Sequence, residues 1–215
     1  MLRRLIILHL IIILALAVKA STNLDKFEGS IKLKKETVYD TSFVVIQVRE
    51  NMVRLDEYDS KKNLMSVYII NLESEKVLAL SPKRKLFYEL SPSRAIQKPN
   101  DDATTINKEN TMILDGQSCC QMRVRSIAHD TEVAYWVAEK DFDFFMVMNK
   151  ILRKVKPDID IFPYFPDVKG FFPMLVVERT LLRKEKMKVL VTAITEMNLS
   201  DSVFNVPSGY QKIVQ

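Results

Sequence analysis

Phe43-Val44-Val45-Ile46-Gln47-Val48-Arg49, then Glu50-Asn51, then Met52-Val53-Arg54-Leu55-Asp56-Glu57-Tyr58 is the stretch on which the fold class turns. A β-branched, apolar run is followed by a two-residue turn signal. A second run follows in which Val53 and Leu55 alternate with Arg54 and Asp56. This is the pattern of an antiparallel hairpin with one buried face. Working outward, Phe27, Gly29, Ile31 and Leu33 alternate with Glu28, Ser30, Lys32 and Lys34, which predicts a half-buried strand ahead of the hairpin. Behind it, the polar cluster Asp59 to Asn63 separates Tyr58 from the β-rich run Leu64 to Ile70. Lys76 to Leu80 and Lys85 to Leu90 read as two further short strands with turns before each. Six strands at a spacing of roughly ten residues make an up-and-down meander.

Residues 91–111 break this rhythm with Pro92, Pro99 and a polar majority, and are expected to form a long mobile loop. Met112 to Leu114, Asp115-Gly116 and Gln117 to Ile127 then reopen the sheet, and Thr131 to Ala138 continues it. Asp141 to Lys156 is the one strong helical pattern. Asp141 is its expected N-cap, Phe142, Phe145, Met146, Asn149 and Leu152 form its stripe, and Pro157 stops it. An aromatic and proline-rich stretch, 157–173, is followed by two more strands near 171–182 and 186–197. About ten strands and one helix predict an α+β chain: a curved antiparallel sheet forming an incomplete, half-open β-barrel covered by one main helix.

The chain has 215 residues with 32 Lys+Arg against 27 Asp+Glu. Arg3, Arg4 and Lys19 lie in a leader-like start where fourteen residues, Leu5 to Val18, are apolar but for His9. Such a run spans only about 21 Å as a helix, against roughly 30 Å of hydrocarbon. With small residues at Val18 and Ala20, the expectation is a signal peptide at 1–20, cleaved near Ala20, and a single domain at 21–215. Without those three cations the charge is close to balance, which argues against nucleic acid as a partner. After removal of the leader, no transmembrane segment is expected.

Nothing in the sequence specifies a reaction. One histidine, His129, follows the leader, and it sits beside Asp130 in an expected turn. No nucleophile-elbow motif accompanies it, and the four glycines are scattered. Cys119 and Cys120 are neighbours, too close along the chain for an unstrained bridge, and read as two small, partly buried thiols. The protein is therefore expected to be no enzyme and to use no cofactor and no metal. Its one functional candidate is apolar: Trp136, Phe142, Phe145, Met146, Phe171 and Phe172, either lining a cleft under the helix or forming the core that caps the sheet.

Three stretches carry a family resemblance. Tyr68 to Leu80, ending in Pro82 and Phe87-Tyr88, resembles LolA-like envelope proteins. Asp115-Gly116-Gln117-Ser118-Cys119-Cys120 with Val133-Ala134-Tyr135-Trp136-Val137 is similar to the mid-domain hairpin of a DUF4412-type family of the LolA/LolB-like, lipoprotein-carrier superfamily. Phe204-Asn205-Val206-Pro207-Ser208-Gly209-Tyr210 is similar to the closing stretch of both. The resemblance implies a half-barrel whose concave apolar face is closed by helices. It further implies residence in the periplasm of a Gram-negative bacterium and an acyl chain or lipoprotein as ligand. The other reading is an envelope protein-interaction module whose half-barrel is filled by its own core.

Overall fold

The computed structural model describes residues 27–92, 103–127, 129–140, 142–155 and 161–213, with the side chains of 103–108 excepted. The expected signal peptide and its cleavage point lie outside the described residues.

The meander forms as the alternation demands: β1 (Gly29–Thr37), β2 (Thr41–Arg49), β3 (Met52–Tyr58), β4 (Leu64–Asn71), β5 (Lys76–Ser81) and β6 (Leu86–Leu90). Then come β7 (Ala103–Leu114), β8 (Gln117–Ser126), β9 (Thr131–Ala138), helix α1 (Asp143–Val155), β10 (Phe172–Arg179), β11 (Glu185–Glu196) and β12 (Gln211–Lys212). The twelve strands make one sheet, in the order β12-β6-β5-β4-β3-β2-β1-β11-β10-β9-β8-β7. Neighbours are antiparallel, except that β12 runs parallel to β6. The end strands β12 and β7 do not pair, so the sheet stays open. Register breaks at Lys32/Leu33, Glu57/Tyr58 and Pro173/Leu175 are bulges of the kind that bend a ribbon.

Two expectations need correction. The polar segment 91–111 is not loop throughout: residues 103–111 belong to β7, where Ala103 pairs with Arg125 and Thr111 with Cys120. The reason is that a polar edge strand needs only ladder hydrogen bonds from its neighbour, not an apolar face of its own. Residues 93–102, the remainder of that loop, lie outside the described residues. The helix begins at Asp143, with Phe142 ahead of it, and is described to Val155; the expected cap Asp141 and the expected last residue Lys156 lie outside the described residues.

The inner face carries Ile31, Leu33, Ile46, Leu55, Ile70 and Tyr135 on their strands. These residues join Phe144, Phe145, Met148, Ile151 and Leu152 of α1 in one buried cluster. The segment after α1 completes the filling. Phe162, Phe165 and Phe172 are buried, the Tyr135 hydroxyl donates to the Pro163 carbonyl, and Arg153 donates to the Phe165 carbonyl at 2.7 Å.

A second cluster occupies the opposite face of β3–β6. Val67, Ile69 and Leu80 point outward by strand alternation, and the chain after β11 folds across them with Leu199 and Phe204 buried. A short 3-10 helix, Asp201–Phe204, begins at Ser200. The tail ends by adding β12 to the β6 edge. Arg49 and Arg54 fix it: Arg49 donates to the Leu199 carbonyl at 2.6 Å and pairs with Asp201 at 2.8 Å, and Arg54 donates to the Val203 carbonyl at 2.9 Å. The stretch Phe204 to Tyr210, singled out in the sequence, is thus a cover for the outer face.

Candidate apolar cleft at the helix end of the sheet

Strand direction alternates across the sheet, so the turns β2–β3 and β4–β5 lie at the same end, and α1 starts there after β9. Between those turns and the first two turns of α1 is an open cleft of about 310 Å³. Its apolar walls are Phe27, Leu72, Phe144 and Val147, and its rim is Glu50, Asn51, Glu73 and Asp143. Val147 is 40 % exposed here, on the one side of an otherwise inward-facing helix that no strand covers. At its other end α1 is tied to the β4–β5 turn by Lys154, whose ammonium lies 2.6 Å from Glu75. That ammonium holds the Glu75 carboxyl below the usual carboxylate range.

Behind the cleft stands a ladder of rings. Phe27 lies 4.6 Å from Phe142, Phe142 4.9 Å from Phe172, and Phe172 5.1 Å from Phe145. Phe145 in turn meets Phe165 edge-on at 5.1 Å, and Phe165 meets Tyr135 at 5.0 Å. Tilted and edge-to-face contacts at these spacings are the favourable aromatic geometries.

Of the six residues read from the sequence, Phe142, Phe145 and Phe172 are brought together in this ladder. Phe145 and Phe172 are buried, and Phe142 is half-buried behind the cleft wall. Met146 and Phe171 are half-buried and pack on the same cluster. Trp136, opposite Leu175 of β10, is likewise half-buried and packs on the same cluster, outside the ring ladder itself. The residues that border the open space, Phe27, Leu72 and Val147 among them, were missed. Phe27 and Leu72 signal only as apolar residues at a strand or turn end, which are too common to single out, and Val147 lies on the helix away from its apolar stripe.

Cys119 is buried and Cys120 half-buried, and both are free thiols. Burial, followed by the neighbouring Cys120, pushes the Cys119 thiol up. His129 is exposed in the β8–β9 turn, its ring 5.6 Å from that of Tyr164. Among the described residues no group of three or more His, Cys, Asp or Glu side chains converges as a metal site would require. No helix among them is long and apolar enough to cross a membrane.

The model of a family described as a domain of unknown function, DUF4412, matches residues 27–210, from the first ring of the cleft to the last residue of the outer cover. The chain belongs to the DUF4412 family. No curated protein matches it in sequence. Among solved structures, this DUF4412 chain is similar to an uncharacterized conserved protein from Thermus thermophilus. The identity is 10 % and the TM-score 0.51, over 92 % of this chain and 95 % of that one. That likeness concerns the fold. Looser similarities link it to two further structures. One is a putative outer membrane lipoprotein-sorting protein domain from Vibrio parahaemolyticus, at 7 % identity and a TM-score of 0.33, over 82 % and 88 % of the two chains. The other is a DUF1329 family protein from Desulfovibrio piger, at 10 % identity and a TM-score of 0.34, over 84 % and 91 %.

Proposed function

We propose that this protein is an exported, non-enzymatic binding protein of the periplasm that holds an acyl chain of a lipid or lipoprotein at the helix end of its open sheet. The observation that carries the reading is the continuity of the cleft with the ring ladder. A space of about 310 Å³ has walls of Phe27, Leu72, Phe144 and Val147, and the Phe27 ring of that wall stands 4.6 Å from Phe142, which Phe172 and Phe145 follow in the ladder. The volume falls at the low end of the about 300–1,000 Å³ typical of small-molecule sites. An acyl chain needs only apolar contact along its length, and broad rings supply it. Phe142 within the ladder, and Met146 and Phe171 packed on the same cluster, are half-buried rather than sealed in the core. Export to the periplasm is supported by the leader-like first twenty residues and by the sequence resemblance to the LolA-like carriers.

The test is purification without detergent, extraction, and mass spectrometry of the extract, together with titration of a fluorescent fatty acid. Co-purifying acyl lipid, or saturable probe binding, is the expected result. The absence of both overturns the reading. It would favour the envelope interaction module instead, a reading supported by the dense filling of the interior, where Phe145, Phe162, Phe165 and Phe172 have almost no exposed surface.

A further inference from the structure

The end of the sheet opposite the cleft carries five hairpin turns side by side: β5–β6, β3–β4, β1–β2, β10–β11 and β8–β9. Three adjacent tips expose large apolar side chains to water. Tyr39 is 96 % and Val38 63 % exposed in β1–β2, Leu182 is 91 % exposed in β10–β11, and Ile127 is 68 % exposed in β8–β9. Tight turns favour Gly, Asn, Asp, Pro and Ser, so an apolar pair at the tip of β1–β2 is not what the turn itself requires. Neither of the first two tips is slack. In β1–β2, the Thr37 hydroxyl oxygen accepts from the amides of Tyr39 and Asp40, and the Asp40 carboxylate accepts from the Thr41 amide at 2.7 Å. In β10–β11, the Thr180 hydroxyl oxygen accepts from the Lys184 amide, and the Thr180 carbonyl accepts from Arg183 at 2.8 Å. Each turn is fixed by its own threonine with its apolar side chains pointing away from the body. Strands lie about 4.8 Å apart, so consecutive tips are roughly 10 Å apart and form a row rather than one patch.

The same end is basic. Lys83, Arg84 and Lys85 are exposed in the β5–β6 turn, Lys61 and Lys62 in β3–β4, and Arg183 and Lys184 beside Leu182. Against these seven cations the five turns hold three carboxylates, Asp40, Asp59 and Asp130. Two of the three are engaged within their own turns, Asp40 with Thr41 and Asp59 with Asn63.

We propose that this end of the sheet is a docking surface for an anionic lipid bilayer. The tips Val38, Tyr39, Leu182 and Ile127 enter the headgroup region while the flanking Lys and Arg pair with lipid phosphates. Separated apolar tips suit a fluid interface, which accepts each one independently, better than a protein partner, which needs a continuous packed core. Basic residues at the surface of such a membrane each add attraction that salt screens. The protein would stand with its cleft turned toward the aqueous side. This inference does not depend on the ligand of the cleft.

The test is co-sedimentation of the purified protein with vesicles of phosphatidylglycerol and phosphatidylcholine, against phosphatidylcholine alone. Binding to the anionic vesicles is expected, weakening between about 0.1 M and 0.5 M salt. The exposed double variant Tyr39→Ser/Leu182→Ser and the double variant Lys83→Glu/Arg84→Glu should each lower the partition coefficient by about tenfold with unchanged melting temperature. A Tyr39→Trp variant should show a blue-shifted emission on adding anionic vesicles and no shift with neutral ones. No sedimentation with anionic vesicles, or sedimentation that neither double variant reduces, overturns the proposal. So does a wild-type protein that dimerises through these tips, its mass falling to that of a monomer in Tyr39→Ser/Leu182→Ser while vesicle binding stays the same.

Discussion

The rings of Phe27 and Phe142 stand 4.6 Å apart, one at the start of β1 and the other just ahead of α1. This contact joins the first described residue of the chain, a wall of the cleft, to the residue that leads into the covering helix. The same Phe142 ring has Phe172 on its far side and the Lys140 ammonium 5.6 Å from its centre.

The cleft reading therefore predicts opposite effects at two positions. Val147→Trp places a larger ring in the open space from an exposed helical position, and should weaken fatty-acid probe binding at least about tenfold while changing stability by about 0.5 kcal/mol or less. Phe142→Ala removes a half-buried ring, should cost about 2 kcal/mol, and should leave probe binding intact or stronger because space opens behind the Phe27 wall. Probe titration alongside urea denaturation separates the two.

On the outer face, the Arg54 guanidinium donates to the Asp56 carboxylate at 2.8 Å, and Asp56 is nearly fully buried beneath the tail. Removing one member strands the other charge. Asp56→Ala and Arg54→Ala should each cost about 3 kcal/mol, whereas the double substitution should cost less than their sum. Arg54→Ala also loses the bond to the Val203 carbonyl, so amide exchange in 199–206 should rise more in that variant than in Asp56→Ala.

Gly29 and Gly116 both have positive φ but different surroundings. A Cβ on Gly29 would collide with the Thr195 carbonyl on the paired strand β11, while one on Gly116 would meet nothing within 4 Å. Gly116→Ala should then cost only the backbone term, about 1 kcal/mol. Gly29→Ala should cost about 3 kcal/mol or more, because the β1–β11 pairing itself must shift. Chemical denaturation of the two variants checks the ranking.

The vicinal thiols should react in sequence. Cys120 is half-buried, whereas Cys119 is fully buried with its thiol pushed up from the ordinary value near 9.0. Under native conditions near pH 8, iodoacetamide should label Cys120 first, and Cys119 should follow only with unfolding, as peptide mass spectrometry would show. The sign of the linkage follows from the raised thiol. Its burial in neutral form is a stabilisation fully present below the unfolded-state value, and it is lost as pH rises through the higher folded-state one. Cys119→Ser should therefore flatten the alkaline limb of the stability profile.

Much of the fold was readable because strands with one buried face record it at every second residue. β1 to β6, β8, β9 and β11 appear near their expected places for that reason, and α1 because Phe145, Met148 and Leu152 repeat at helical spacing. β7 was not readable over 103–111. An edge strand paired on one side needs no apolar alternation there, so its polar residues look like loop. The tail was half readable: Phe204 to Tyr210 stood out as a motif, but its target, the outward Val67, Ile69 and Leu80, lay in short β-rich runs to which no face was assigned. Of the candidate site, the sequence indicated the helix and its rings. It did not indicate which residues border the cleft, because Phe27, Leu72 and Val147 are far apart in the chain and meet only through strand order.

By itself the sequence determined that this chain makes an antiparallel sheet with one covering helix, because periods of two and of about 3.6 residues are local properties of the backbone. Only the tertiary structure decided which strands became the edges, which apolar side chains fill the half-barrel and which surround its open end. It also decided that five hairpin tips line up with Tyr39 and Leu182 exposed. Those outcomes depend on the order of strands across the sheet and on its curvature, which are set by contacts between residues far apart in the chain, such as Gly29 with Glu196.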